Sequence, residues 1–440
     1  MVETETKVER YESYKDSGVE WLGDIPEHWE ALANKFVFNL KKNQVGKKSA
    51  DYDLLSLTLK GIMIRNLENG GKFPAEFDTY QEVKKGDFVF CLFDVEETPR
   101  CVGLSDYNGM ITGAYTIMEP NENFDRSFLY YFYLNLDADK RMKPLYTGLR
   151  NTISKDNFFA FKTFVPPLSE QTAIAQFLDD KTTKIDEAIV IKQQQISLLK
   201  ERKQILIHKA VTQGLNPNVK LKDSGVDWIG EIPESWNCIK FKFIIRTKAR
   251  LGWKGLKAAE YVDRSNYGFL STPNIKTRDI DFDSAYFITQ RRYYESPEIM
   301  LQKGDVLLVK DGSTLGISNI VRDLPFKCTV NSSIAVLRVM EGVNLLPEYL
   351  NYFLKSETCQ RIIDKKKDGM GVPHLFQSDI NNFSVPIFPI EEQRQISNYI
   401  EKSSIKLDEA INLKQQEIEK LKEYKSSLIN GVVTGKVKVC

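Results

Sequence analysis

At 440 residues the chain exceeds one ordinary domain, and two or three are expected. A formal net charge of +1 excludes a polycation held to nucleic acid by bulk charge, and no apolar run is long enough to span a bilayer. The opening residues lack the basic-then-apolar form of a secretory signal, and the 6 cysteines include no CxxC pair, so free thiols in a reducing cytoplasm are expected. His28, His208 and His374 lie far apart, which gives no metal-ligand spacing.

In chain order, the first element is KDSGVEWLGDIPEHWE at 15–30, and it returns as KDSGVDWIGEIPESWN at 222–237. Glycine and proline break any helix there, while Trp21, Trp29, Trp228 and Trp236 supply large apolar anchors. The segment reads as a loop pinned by its tryptophans, able to dock a globular body on a neighbouring element. A basic stretch free of acids follows in each half. Residues 31–50 carry five lysines, and 235–259 carry seven lysines or arginines.

Each half continues as a mixed body. Strands are expected at 36–40, 88–93 and 114–118, and again at 241–245, 306–309 and 334–339. Lys85-Gly86-Asp87 answers Lys303-Gly304-Asp305, each ahead of an apolar strand. Leu129-Tyr130-Tyr131-Phe132 answers Leu350-Asn351-Tyr352-Phe353, each on an expected helix. The glycine-led loop TGLRNTIS from Thr147 stands where DGMGVPHL from Asp368 stands. A shared framework with a divergent interior suits two units of one fold doing the same work on different targets.

Each body gives way to a helical segment. Residues 168–214 read as a short helix followed by a long one, and the pattern returns 222 positions later. Ile185, Ile189, Lys192, Ile196, Leu199, Lys203, Leu206 and Ala210 keep a 4-3 spacing on one seam. Leu407, Ile411, Lys414, Ile418, Leu421, Lys425, Leu428 and Val432 repeat it. Neither helix of about 28 residues, about 42 Å long, can bury such a stripe alone, so the two are expected to pack together. Chain order makes the packing antiparallel, with seam lysines restricting register and able to reach acidic groups of another protein.

The expected fold class is α+β: two mixed α/β domains related by a pseudo-twofold and separated by a long antiparallel two-helix coiled coil. The boundaries are 1–167 and 215–387 for the domains, and 168–214 and 388–440 for the helical spacers. Catalytic motifs are absent: Gly46-Lys47-Lys48-Ser49 lacks the spacing of a phosphate loop, and Val165-Pro166-Pro167 lacks the acceptor of a base-amine methyltransferase motif. Glu82-Val83-Lys84 imitates part of a nuclease ExK motif, a triplet that arises constantly by chance. The chain reads as a binder without catalytic residues of its own.

The doubled body-plus-helix order, with Pro-Pro-Leu-Ser-Glu-Gln at 166–171, Pro-Ile-Glu-Glu-Gln at 389–393 and the duplicated KDSGVxWxGxIPExW, resembles the DNA-specificity subunit of type I restriction-modification systems. The resemblance covers essentially the whole chain. It implies that each body reads one half of an interrupted site in double-stranded DNA. It also implies that the helices space the bodies and hold two methyltransferase subunits, with restriction subunits joining a larger complex. No cofactor is then expected here, since S-adenosylmethionine, ATP and magnesium would belong to the partners. Phosphate contacts are expected from Lys41, Lys42, Lys47, Lys48, Arg246, Lys248, Arg250 and Lys254. Base contacts are expected from Arg65, Asn66, Arg150, Asn151, Lys276, Arg278, Arg291 and Arg292, because Arg and Asn can bond guanine and adenine edges bidentately. Tyr293 and Tyr294 are expected in the core. Two other readings stand beside this one: a helical adaptor that never touches DNA, and a nuclease using Glu82.

Overall fold

A computed structural model describes the chain except residues 1–8, 67–75, 250–255, 257–259, 366–372 and 440. The chain divides into two compact units. The first is Met1–Lys192 with Gln416–Cys440, and the second is Gln193–Gln415. Each unit is therefore built from one body and half of each long helix. No helix among the described residues is long and apolar enough to cross a membrane.

The first unit is organised on a four-stranded antiparallel sheet in the order Phe38–Lys41, Thr116–Pro120, Phe88–Phe90, Val102–Leu104. Beside it, Glu30–Ala33 pairs with Lys162–Val165, the strand that delivers the chain to the first long helix. The second unit repeats the plan with Ile245–Lys248, Ile334–Val339, Val306–Val309 and Ser318–Ile320, and with Asn237–Lys240 against Ser384–Ile387. Helix Arg126–Ala138 carries Phe128, Leu129 and Phe132 into the first core, as Pro347–Lys355 carries Tyr349, Leu350 and Phe353 into the second. What differs is added around this frame. The first unit has a hairpin, Leu55–Thr58 with Gly61–Ile64. The second has a three-stranded sheet in which Tyr267–Leu270 runs parallel to Lys327–Val330 and antiparallel to Tyr286–Phe287.

The expected strands at 36–40 and 241–245 begin later than their apolar patterns suggest. Asn34–Phe36 and Phe241–Phe243 are single 3-10 turns, and pairing starts at Phe38 and Ile245. The expectation of a short helix followed by a long one is also corrected. The first long helix is unbroken from Leu168 to Gln213, 46 residues, and the second from Ile390 to Val433, 44 residues. No glycine or proline interrupts the first, and its opening turns bury Ile174, Ala175 and Leu178 against the body, which keeps them helical.

The repeated glutamine at each helix start has a structural task. Gln171 donates to Pro166 O (2.8 Å) and accepts from Asp125 N (2.9 Å), which ties the long helix to the start of Arg126–Ala138. Gln393 does the same with Phe388 O, Asn344 O and Leu346 N. Glu170 accepts from Trp29 Nε1 (3.0 Å) and Tyr11 Oη (2.7 Å), so the tryptophan loop docks on the helix as the sequence suggested.

No seam residue is exposed in either helix. In the first unit Lys425 pairs with Asp186 and Lys192 with Glu417, both at 2.6 Å. Residue numbers rise along one helix as they fall along the other, so this pairing is antiparallel. In the second unit Lys203 reaches Asp408 at 2.7 Å. These three lysines are thus answered by acids of the facing helix, not by another protein.

Each core also takes residues from the far end of a long helix. Ile429, Val432 and Val433 lie in the first core with Trp29 and Phe128, and Ile207, Ala210 and Val211 lie in the second with Trp236 and Tyr349. The first unit is accordingly incomplete without the last helix. Expressed alone, residues 1–214 should dimerise, each copy lending 207–211 where 429–433 stood. Sedimentation equilibrium showing a well-folded monomer would refute this closure.

Candidate nucleic-acid interface

A buried carboxylate sets the frame in each unit. The Lys-Gly-Asp turns place Gly86 and Gly304 at φ +89°, a conformation that favours glycine. They fold Asp87 back on Lys84 N (2.8 Å) and Asp305 on Gln302 N (2.7 Å). Both aspartates are almost fully buried and need a cation. Lys41 serves Asp87 at 2.9 Å, with Glu119 at 3.9 Å. Strand register makes Lys248 the counterpart of Lys41 and Arg338 the counterpart of Glu119. In the second unit, however, Arg338 holds Asp305 at 2.6 Å. Lys248 is half-buried without that role, and burial, then the nearby Arg338, pulls its ammonium below the usual range.

This decides the standing of several expected contacts. Lys41 is held by Asp87, which gives it a structural task in this frame. Arg150 is fastened to Asp94, with Nε to Oδ1 at 2.9 Å, and this bond holds the exposed Asp94 carboxyl below the ordinary range. Asn151, at φ +44°, bonds Glu97 (3.1 Å). The loop at 147–154 is therefore closed onto turn 94–98, and Leu149 stands fully exposed at its tip. Arg292 lies between Glu260 and Glu295. Arg150, Asn151 and Arg292 act as fasteners, because an acid stands within bonding distance of each. Arg250 and Lys254 lie outside the described residues.

The remaining candidates face solvent. Lys47 and Lys48 ride an exposed turn, Gly46–Asp51, and the next residues, Ser49 and Tyr52, share a hollow of about 750 Å³ with Arg65, Asn66 and Phe77. The structure thus brings Arg65 and Asn66 beside Ser49 and Tyr52 of a separate stretch, with Asp53 in the same lining, while Lys47 and Lys48 precede the hollow in the chain. Lys42 lines a second hollow of about 420 Å³ with Gln44, Gln81, Thr116 and Lys155, a lining without acids. Sequence reasoning missed Lys155, since nothing in its local pattern set it apart.

In the second unit Arg246 is exposed on its strand, and Lys276 and Arg278 stand on the hairpin closed by Ile275 and Ile280. Arg291 is 90% exposed, although Glu295 stands 3.5 Å from its Nε. Tyr293 is buried as expected, but Tyr294 is half exposed, with Lys327 Nζ at 3.4 Å from its hydroxyl. Lys355 donates to Thr277 O (2.9 Å) and so steadies the Lys276 hairpin. Burial, then Arg322 and Lys203, brings its ammonium down to about 8.

Comparison with known proteins agrees with this architecture. Residues 258–423 match the family model described as the type I restriction modification DNA specificity domain. The type I restriction enzyme MjaVIII specificity subunit of Methanocaldococcus jannaschii is 24% identical over 73% of this chain and 72% of its own length. The putative MjaX specificity subunit of the same organism is 23% identical over 95% and 96%. The chain is thus similar to type I restriction enzyme specificity subunits, over its second half by the family model and over most of its length by these relatives.

Solved structures add the fold. A chain from a type I restriction-modification system superposes with a TM-score of 0.67 at 13% identity, covering 93% of this chain and 98% of that one. The HsdS subunit of Thermoanaerobacter tengcongensis gives 0.51 at 14% identity, covering 94% and 98%. Arg338→Met should leave Asp305 buried without its cation and cost about 3 kcal/mol in denaturant unfolding. A loss below 1 kcal/mol would show that Lys248 takes over. Between pH 8 and 10.5 the unfolded chain holds a proton on Lys355 that the folded chain does not, so this group contributes stability that rises with pH, against the buried thiols, whose raised pKa values act the other way. Lys355→Met should remove this contribution from the pH dependence of the thermal midpoint.

Proposed function

We propose that the chain is the non-catalytic, sequence-specific subunit of a cytoplasmic type I restriction-modification complex. Each unit reads one half of an interrupted double-stranded DNA site. The long helices set the gap and hold two methyltransferase subunits, and restriction subunits join the larger assembly. S-adenosylmethionine, ATP and magnesium belong to those partners. Phosphate contacts fall to Lys42, Lys47, Lys48 and Arg246, and base contacts to Arg65, Asn66, Lys276, Arg278 and Arg291.

One observation carries this reading: a single frame occurs twice in one chain, each copy carries exposed cations and unlike added strands among the described residues, and both share the same two unbroken helices. Two bodies of one fold with unlike added hairpins suit two different short words of DNA. Continuous helices suit a fixed distance between them, one duplex turn being about 34 Å.

Mapping methylated adenines in cells with and without the gene tests the assignment, and an unchanged methylation pattern would favour an adaptor that never meets DNA. A sharper test lengthens both helices by seven residues, within 193–200 and at the facing part of the second helix, which preserves the seam. Ten ångströms or so of added helix is roughly three base pairs at 3.4 Å. Both half-sites should stay unchanged while the gap grows by about three. A gap of the original length would show that the helices do not set it.

A further inference from the structure

The two 3-10 turns that replaced the expected strand starts carry a repeated surface feature. Phe36 in the first unit is 59% exposed and Phe243 in the second 64%. Beside each ring stands the ammonium of the preceding lysine, Lys35 at 5.0 Å and Lys242 at 4.9 Å from the centroid. The turns occupy the same place in the two units, directly ahead of the first strand of the four-stranded sheet.

The pattern of identity here is inverted. In a duplicated fold the buried positions are ordinarily the ones held by packing, and exposed ones drift. At these turns Asn34, Val37 and Phe38 are buried, and their counterparts Phe241, Ile244 and Ile245 are buried but different. The exposed pair Lys-Phe is the same in both. Packing therefore does not explain it. Sequence-specific reading does not explain it either, because the two units are built to read unlike words. A feature common to both suits a target that is the same at both.

Resting on the proposed role as an assembly subunit, we propose that Lys35–Phe36 and Lys242–Phe243 are twin docking points. Each seats its phenyl ring in an apolar socket rimmed by acidic residues on one copy of the methyltransferase subunit. The DNA backbone is also common to both units, but a phosphate gains nothing from a phenyl ring. An uncharged ring kept in water is satisfied by an apolar socket, and the lysine beside it by carboxylates at the rim. Along the sequence, 31–50 and 235–259 carry cations and no acids, a local positive charge that carboxylates at the rim of a partner's socket would complement.

The test uses the full chain with Phe36→Ser, Phe243→Ser and both together, titrated with the methyltransferase subunit of the same system and followed by native mass spectrometry. Thermal midpoints should be unchanged, since the rings are exposed. Each single variant should keep one tight methyltransferase site and weaken the other at least tenfold, and the double variant should weaken both. Lys35→Glu with Lys242→Glu should act in the same direction. A double variant that assembles like the wild type would overturn the proposal, as would intact assembly with weakened DNA binding, which would give the surface to DNA. A wild-type chain that binds no methyltransferase would instead sink the functional reading on which the proposal rests.

Discussion

The long-helix seam is the constraint on which both units depend. A 46-residue helix with an apolar stripe has no stable existence in water, and the facing 44-residue helix carries the complementary stripe. The lysines set into that stripe would be costly if left unpaired. Asp186, Glu417 and Asp408 on the opposing helix answer them, so only the register that aligns these pairs is satisfied. Each exposed pair contributes little by itself. Their effect is to penalise slipped arrangements, and slippage would also withdraw Ile429 and Val432 from one core and Ile207 and Ala210 from the other.

The second recurring constraint is the buried carboxylate of the Lys-Gly-Asp turn. Asp87 and Asp305 are equivalent, yet the cation comes from adjacent strands, Lys41 in one unit and Arg338 in the other. The exchange shows what the fold requires. It requires a positive charge at that point, within reach of either strand, and is indifferent to which residue number supplies it. Arg338 brings two nitrogens to the two carboxylate oxygens and a third bond to Met300 O, whereas Lys41 offers a single ammonium.

Much of this was legible in the sequence because repeats expose their own grammar. The seam positions, the tryptophan loops, the helix at Leu129 and the strands after each Lys-Gly-Asp all stand where periodicity and repetition put them. The 3-10 turns were missed because an apolar run such as Phe-Val-Phe cannot say which ring faces solvent. The continuity of the first long helix was missed because its opening residues are held by tertiary burial of Ile174 and Leu178 more than by pattern. Among the site residues, charge type and exposure were guessed together. A sequence shows an arginine, but only the fold shows Asp94 beside Arg150 or Glu260 beside Arg292.

That last difference follows a physical rule. Within the shared frame a cation stands among buried acids and is neutralised, since an unpaired charge there would be too costly. Lys41 and Arg338 obey it. On the segments peculiar to one unit the cations lie nearer the surface, and the acids that answer them are surface acids, as Glu295 answers Arg291 and Arg292. Arg65 is carried beside a hollow by the Leu55–Ile64 region, Lys276 and Arg278 by a hairpin tip, and Arg291 by a short helix. The parts free to diverge without harming the fold are thus the same parts that carry surface cations. A frame that spends its own charges on stability leaves surface variation to its additions.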